Sequence, residues 1–178
     1  DTSAYTGRPI VKVAPKSFNL NEGQTRQVRV TIDVPQDAGA GGRYAMLEVR
    51  GTPNEPDEEQ NVGLEARIGA SVVVTLEGTA QTRTGDITDV KIAPVTHGEP
   101  VNVTTVLRNT GNYHYGNSPV RMYAGATLKD PAGNNVIAMV TPLTDTSLVP
   151  TFSRSFALNL STTEELEPGR YALEVQVG

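Results

Sequence analysis

The residues with the most distinctive chemistry lie in one short run, Asn109 to Ser118, which contains Tyr113, His114 and Tyr115. This run holds two of the six tyrosines and one of the two histidines of the chain. Tyrosine rings present flat, amphipathic faces that suit contact with a glycan or a protein partner. The run therefore predicts a binding loop whose site residues are Tyr113, His114 and Tyr115.

The same run also has a structural interpretation. Asn109, Gly111, Asn112 and Gly116 are the residue types that tight turns use for left-handed backbone angles and local hydrogen bonds. A tyrosine in such a turn often packs over the end of a sheet. The turn chemistry favours this structural role, and ligand binding is the functional alternative.

An acidic run from Asn54 to Gln60 is the second candidate. Four of its residues are carboxylates: Glu55, Asp57, Glu58 and Glu59. Their charge could attract calcium, but the run lacks the Asp-x-Asp-x-Asp-Gly order that wraps ligands around one ion. We interpret it as a solvated hairpin loop and expect no metal site.

Catalytic motifs are missing from the sequence. His97 and His114 are the only histidines, and there is no Gly-x-Ser-x-Gly elbow, no His-Glu-x-x-His helix and no glycine-rich phosphate loop. We therefore predict a non-enzymatic protein without a cofactor. A carboxylate pair assembled only in the tertiary structure is the remaining enzymatic alternative.

The overall charge excludes one class of partner. Lys and Arg number 15 against 20 Asp and Glu, which gives a net charge of −5, whereas nucleic-acid binders need a basic face. No apolar run approaches the roughly 18 residues of a membrane span, so membrane attachment would require an anchor outside this sequence. The chain begins at Asp1, which we interpret as a mature form or a fragment, and it has no cysteine.

Alternation of apolar and polar residues indicates strands throughout, because successive side chains of a strand point to opposite faces. A helical turn is expected only from Thr162 to Glu167. The clearest apolar series are Val28, Val30, Ile32 and Val34; Ile68, Ala70, Val72, Val74 and Leu76; and Phe156, Leu158 and Leu160.

The segment from Glu77 to Asp86 is small, polar and rich in glycine, and it is typical of a linker. Short strands separated by turns on either side of it predict an all-β protein with two consecutive antiparallel sandwich domains. We place the first domain at residues 1–80 and the second at residues 86–178.

The two halves share a phrase. Gly42 to Val49 and Gly169 to Val175 both begin Gly-Arg-Tyr-Ala, and the first copy carries one inserted residue. One extra residue moves everything beyond it to the other face of a strand. Tyr171 should therefore share a face with Leu173, whereas Tyr44 should lie opposite Leu47 unless a bulge intervenes.

Two phrases carry a family resemblance. Leu166 to Tyr171 resembles the tyrosine corner of immunoglobulin-like and fibronectin type III sandwiches, which implies that the Tyr171 hydroxyl bonds to the main chain of its own domain. Val13 to Pro15, Phe18 to Gln24 and the following alternating valines resemble the opening of PapD-like and major-sperm-protein-like domains.

This combination resembles the tandem immunoglobulin-like or PapD-like ectodomains of prokaryotic cell-envelope proteins, and it is distantly similar to WxL-interacting surface proteins. The resemblance implies a secreted, non-enzymatic envelope or extracellular module, such as an adhesion protein, that spaces or presents a surface for a protein or a cell-wall glycan. The alternative is a periplasmic chaperone-like or surface-assembly protein that binds an extended partner strand.

The resemblance also implies a missing strand. In immunoglobulin-like topology a final strand returns beside the one that follows the tyrosine corner, but the sequence ends at Gly178. We therefore expect that the protein continues and that the second domain exposes an edge, unless an irregular segment or the first domain covers it. Six strands are predicted there, fewer than the usual seven: Ile87–Ile92, Val101–Arg108, Val120–Leu128, Asn135–Val140, Phe152–Leu160 and Arg170–Val177.

Overall fold

The computed structural model describes residues 3–52, 65–77, 80–116, 122–143, 147–161 and 166–178. These residues form ten strands and no helix, and every pair of neighbouring strands is antiparallel, which confirms the predicted all-β class. The chain divides into two compact units, residues 1–80 and residues 81–178. The acidic run at residues 54–60 and most of the predicted helical turn at 162–167 lie outside the described residues.

The second unit contains two three-stranded sheets, ordered β5-β6-β9 and β10-β7-β8. Its six strands confirm the six that the alternation predicts, with ends shifted by a few residues. Their bounds are β5 Gly85–Ile92, β6 Val101–Asn109, β7 Met122–Lys129, β8 Asn135–Leu143, β9 Ser153–Leu160 and β10 Ala172–Val177.

The core of the second unit lies between these two sheets, as in a sandwich. Val101 and Val103 of β6 and Leu158 and Leu160 of β9 are at most 4% exposed. They pack in one cluster with side chains of the other sheet, which are Ala124, Ala126, Leu128 and Ile137. Alternate residues of each strand therefore meet across the sandwich, as the period of two requires.

The first unit contains two two-stranded ladders, β1 with β2 and β3 with β4. Their bounds are β1 Val11–Ala14, β2 Arg29–Ile32, β3 Gly42–Gly51 and β4 Ala66–Thr75. A short parallel bridge joins Thr6 to Tyr44 of β3. Among the described residues of this unit, Ile10 and Leu76 are the large apolar side chains that are buried. The two ladders are compatible with a sandwich, which stays a prediction for this unit.

The segment predicted as a linker is partly structured. Gly85 and Asp86 already belong to β5, and Thr84 accepts backbone hydrogen bonds from Thr110 and Gly111 through its carbonyl oxygen. The second unit therefore begins before residue 86, because residues 82–84 pair with a turn that lies about thirty positions further along the chain.

The repeated phrase takes two registers, as the inserted residue predicts. β3 pairs with β4 without a register shift, so Tyr44 and Leu47 lie on opposite faces. Tyr171 and Leu173 both pack against the core of the second unit. The Tyr171 hydroxyl donates a hydrogen bond to the carbonyl oxygen of Glu167 at 2.8 Å, which confirms the predicted main-chain bond, although the ring is half-buried and not fully buried.

Candidate functional site

The turn that follows β6 is organised by the side chain of Asn109, which is completely buried. Its Nδ2 donates to the carbonyl oxygens of Tyr113 and Leu148, each at 2.9 Å, and its Oδ1 accepts from the Gly111 N–H at 2.9 Å. One side-chain amide thus binds three backbone groups of the turn and of the segment at Leu148. The turn is consequently fixed to the residues around Leu148 that precede β9.

The segment before β5 holds the turn from its other side. The Asn112 and Tyr113 N–H groups donate to the carbonyl oxygen of Thr82, and the Asn112 Oδ1 accepts from the Thr82 N–H at 2.8 Å. Gly111 is required by this close approach, since a Cβ there would overlap the Thr82 carbonyl oxygen. Of the two glycines in the turn, Gly116 takes a left-handed φ of 70°, whereas Gly111 allows the close approach of the Thr82 carbonyl.

The three predicted site residues share this turn, but they differ in exposure. Tyr115 is 9% exposed and packs in the core with Leu107, Met122 and Phe156, while His114 is 8% exposed. Tyr113 is partly exposed, and its ring centroid lies 4.2 Å from that of His114. The structure therefore brings the residues together while placing two of the three rings largely inside the protein.

Arg83 completes the arrangement. Its guanidinium carbon lies 4.6 Å from the centroid of the Tyr113 ring, which is a cation–π contact. Burial lowers the pKa of His114, and the nearby charge of Arg83 lowers it further. Burial raises the pKa of the Tyr115 hydroxyl. The histidine therefore favours its neutral form, and the guanidinium of Arg83 occupies one face of Tyr113, the more exposed of the two tyrosine rings in the turn.

Sequence reasoning missed Arg83, because it lies in the segment interpreted as a linker. No local pattern could identify it: Arg83 and Tyr113 are thirty positions apart, and the hydrogen bonds from Thr82 and Thr84 bring them together. The distinctive composition of the turn was a usable signal, but its polar contacts are chiefly structural.

A second candidate surface lies on the first unit. Leu47 and Val49 of β3 share one side of the β3–β4 ladder with Ile68 and Val72 of β4, and we call these four residues the ladder face. Val49 and Ile68 are direct cross-strand partners and are 56% and 70% exposed. Large apolar side chains paired at the surface in this way mark a candidate interaction site.

A cavity of about 640 Å³ lies at one end of the second sandwich. Loop residues 95–100 and 166–169 contribute to its lining, and several apolar residues of the strands form its wall: Ile92, Val101, Leu128, Ile137, Leu160 and Leu173. Glu99 and Glu167 also line it, and neither forms an ion pair with any residue that the structure describes. The cavity therefore combines an apolar wall with acidic groups.

The described residues contain neither a candidate metal site nor a membrane-spanning helix. In the described ranges no three side chains among His, Asp and Glu come together in a way that could hold a metal ion. Nor does the described part of the chain contain a helix long and apolar enough to cross a membrane.

Comparison with known proteins returns no relative. No protein-family model matches the chain, and neither the curated proteins nor the solved structures include a significant match.

Proposed function

We propose that the chain is a non-enzymatic module of the cell envelope or extracellular space, and that its first unit binds a protein partner through the ladder face. The observation that carries this proposal is the exposed cross-strand pair Val49 and Ile68. Covering a large apolar side chain completely stabilises a complex by roughly 1.5–3 kcal/mol. Two such residues side by side can anchor a partner of moderate affinity.

A protein partner fits better than a glycan. At the turn after β6, the predicted glycan site, Arg83 occupies one face of the Tyr113 ring and Tyr115 lies in the core. The ladder face is aliphatic and offers dispersion and desolvation rather than directional hydrogen bonds. Its chemistry favours an apolar protein surface.

The envelope location rests on the resemblance of the first unit to PapD-like openings. Two features of the structure agree with that opening: β1 ends at Ala14 directly before Pro15, and Gly23 takes a left-handed φ of 73° in the following turn. Protease treatment of intact source cells, followed by detection with an antibody, tests the location. Digestion of the protein while cytoplasmic markers survive is expected, and protection equal to theirs would contradict it.

The binding proposal is tested with two matched variants. Val49→Lys combined with Ile68→Lys places two charges on the ladder face, while Met46→Lys adds a charge at an exposed apolar residue on the opposite side of β3. Binding of the labelled chain to isolated cell envelopes, with and without prior protease treatment, is the measurement. The double variant should bind at least about tenfold more weakly, a loss of roughly 1.4 kcal/mol, and Met46→Lys should bind normally.

Two results would contradict the proposal. Binding that survives protease treatment of the envelopes but is lost after glycan digestion would indicate a glycan partner. Equal losses in the two variants would show that the ladder face has no special role.

The strand-holding alternative is favoured by a different observation. Each ladder of the first unit has two strands, so within the described residues each strand pairs with one other strand, and the second edge of β3 has only the short bridge to Thr6. Such edges accept an extended segment by strand addition. A protein that assists assembly must release its client, so rapid exchange of bound partner would favour this function over permanent attachment.

A further inference from the structure

The two sheets of the second unit are offset from one another. β9, at the edge of its sheet, contacts both β7 and β8 of the other sheet. With the orders β5-β6-β9 and β10-β7-β8, this contact places β6 over the region of β10 and β7. β5 therefore extends beyond β10 and has no strand of the described residues facing it.

Exposure along β5 agrees with this offset. Ile87 and Ile92 are direct cross-strand partners of Leu107 and Val103, which are at most 2% exposed. Direct partners share a face, so these β5 side chains point toward the core. Nevertheless Ile87, Val90 and Ile92 are between 39% and 51% exposed.

The core-facing side chains of β10 are also incompletely covered. Leu173, Val175 and Val177 pair with the buried residues Leu128, Ala126 and Ala124 and pack against the core, yet each is only half-buried. Among the described strands β10 pairs with β7 alone, so the backbone groups of its outer edge lack a ladder partner. We call the incompletely covered side chains of β5 and β10 the seam, and these are Ile87, Val90, Ile92, Leu173, Val175 and Val177.

The cavity lies where the seam meets the end of the sandwich, since Ile92 of β5 and Leu173 of β10 both line it. The seam thus combines a strand edge with core-facing apolar side chains, which occupy every second position of β10. At its end lies a pocket with two carboxylates, Glu99 and Glu167. Strand addition uses the same three elements: main-chain pairing for affinity, alternate side-chain pockets for specificity, and charge for register.

We propose that the seam binds an extended strand of another polypeptide, paired along the outer edge of β10, with apolar side chains at alternate positions and a Lys or Arg at the end beside Glu99 and Glu167. The strand lies opposite β5 and completes the core. Its apolar side chains cover Val90 and Ile92 of β5 and the half-buried seam residues of β10. Its basic end neutralises the negative charge of the two carboxylates. This site lies in the second unit and is independent of the ladder face.

Synthetic peptides test the proposal on the whole chain. The probe is the acetylated peptide KTVTVTVT, in which valine alternates with threonine. KTTTTVVV has the same composition without the alternation, and ETVTVTVT reverses the terminal charge. A fourth peptide carries the KTVTVTVT sequence with backbone N-methylation at alternate residues, which prevents strand pairing. Affinity is measured by calorimetry, and the amides of Ala172–Val177 are followed by hydrogen exchange.

KTVTVTVT should bind at least about tenfold more tightly than KTTTTVVV or the N-methylated peptide, and it should slow exchange in β10. ETVTVTVT should bind more weakly, with a difference that shrinks as salt increases. In the protein, Ile92→Lys should reduce binding of KTVTVTVT, while Val140→Lys, an outward-facing change on β8, should leave it unchanged.

Three outcomes would overturn the proposal. The outer-edge amides of β10 could already be protected in the free monomer, which would mean that another part of the chain covers the edge. Equal binding of KTVTVTVT and its N-methylated form would indicate an apolar ligand in the cavity and no added strand. Protection that rises with protein concentration without peptide would identify the occupant as a second copy of this chain.

Discussion

The strands of the two units have similar alternating sequences, but their apolar side chains are buried to different degrees. In the second unit the alternating residues of β6 and β9 are almost fully buried, because a second three-stranded sheet covers them. In the first unit Val30 and Ile32 of β2 alternate equally well, but both remain about half exposed. Alternation therefore decides which side of a strand is apolar, and a second sheet decides whether that side is buried.

The shared phrase shows the same contrast at the level of single residues. Arg43 is buried in the first unit, where its Nη1 donates to the carbonyl oxygens of Ala40 and Gly42. Arg170, at the same place in the phrase, is exposed. The same residue type is thus buried and bonded to the main chain in one unit and exposed to solvent in the other, because the surrounding chain differs.

The largest expected difference between the units comes from core truncation. Leu158→Ala removes a fully buried side chain from the second sandwich and should lower its free energy of unfolding by about 2–5 kcal/mol. Ile32→Ala in the first unit should cost about 1 kcal/mol or less, because that side chain is already 46% exposed. Denaturant-dependent hydrogen exchange measures each unit separately. Similar losses at the two positions would contradict the comparison.

Loss of the amide that organises the turn should rank second. Asn109→Ala removes three hydrogen bonds to buried backbone groups and should destabilise the second unit by about 2–4 kcal/mol. Asn112→Ala, which loses its side-chain bond to the Thr82 N–H, serves as the control and should cost about 0.5–1.5 kcal/mol. Equal effects in thermal denaturation would mean that the turn is not fixed through Asn109.

Loss of the hydrogen bond in the tyrosine corner should lower stability by a smaller amount. Tyr171→Phe deletes the hydrogen bond to the Glu167 carbonyl oxygen and should destabilise the second unit by about 0.5–1.5 kcal/mol. Tyr123→Phe is a matched change at an exposed ring of the same unit and should be nearly neutral. Unchanged midpoints for both variants in urea would show that the corner does not contribute to stability.

The pH dependence of the free energy of unfolding should be the smallest effect. It should distinguish the units, because His114 lies in the second one. The pKa of His114 is lowered in the folded state, so the unfolded chain binds more protons near the ordinary histidine pKa of about 6.5. Stability of the second unit should therefore fall as the pH decreases through that value. His114→Gln should remove this dependence, and His97→Gln should keep it. A second unit whose stability is equal at pH 7.5 and pH 5.5 would contradict the expected effect.

Sequence alone was sufficient for the strands and for the faces they present. The period of two located all six strands of the second unit, and the inserted residue in the shared phrase correctly placed Tyr44 opposite Leu47. The Tyr171 hydrogen bond also followed from a local phrase, because its acceptor lies four residues upstream. These features depend on neighbours along the chain, and a sequence displays such neighbours directly.

Only the tertiary structure decided what covers each face. The contact of Arg83 with Tyr113, the hydrogen bond from Asn109 to Leu148 and the offset that leaves β5 uncovered all join residues far apart in the chain. Alternation specifies which side chains share a face, but it contains no information on how two sheets are displaced laterally. The ladder face and the seam are apolar surfaces that no described strand covers. They can therefore be identified only from the assembled strands.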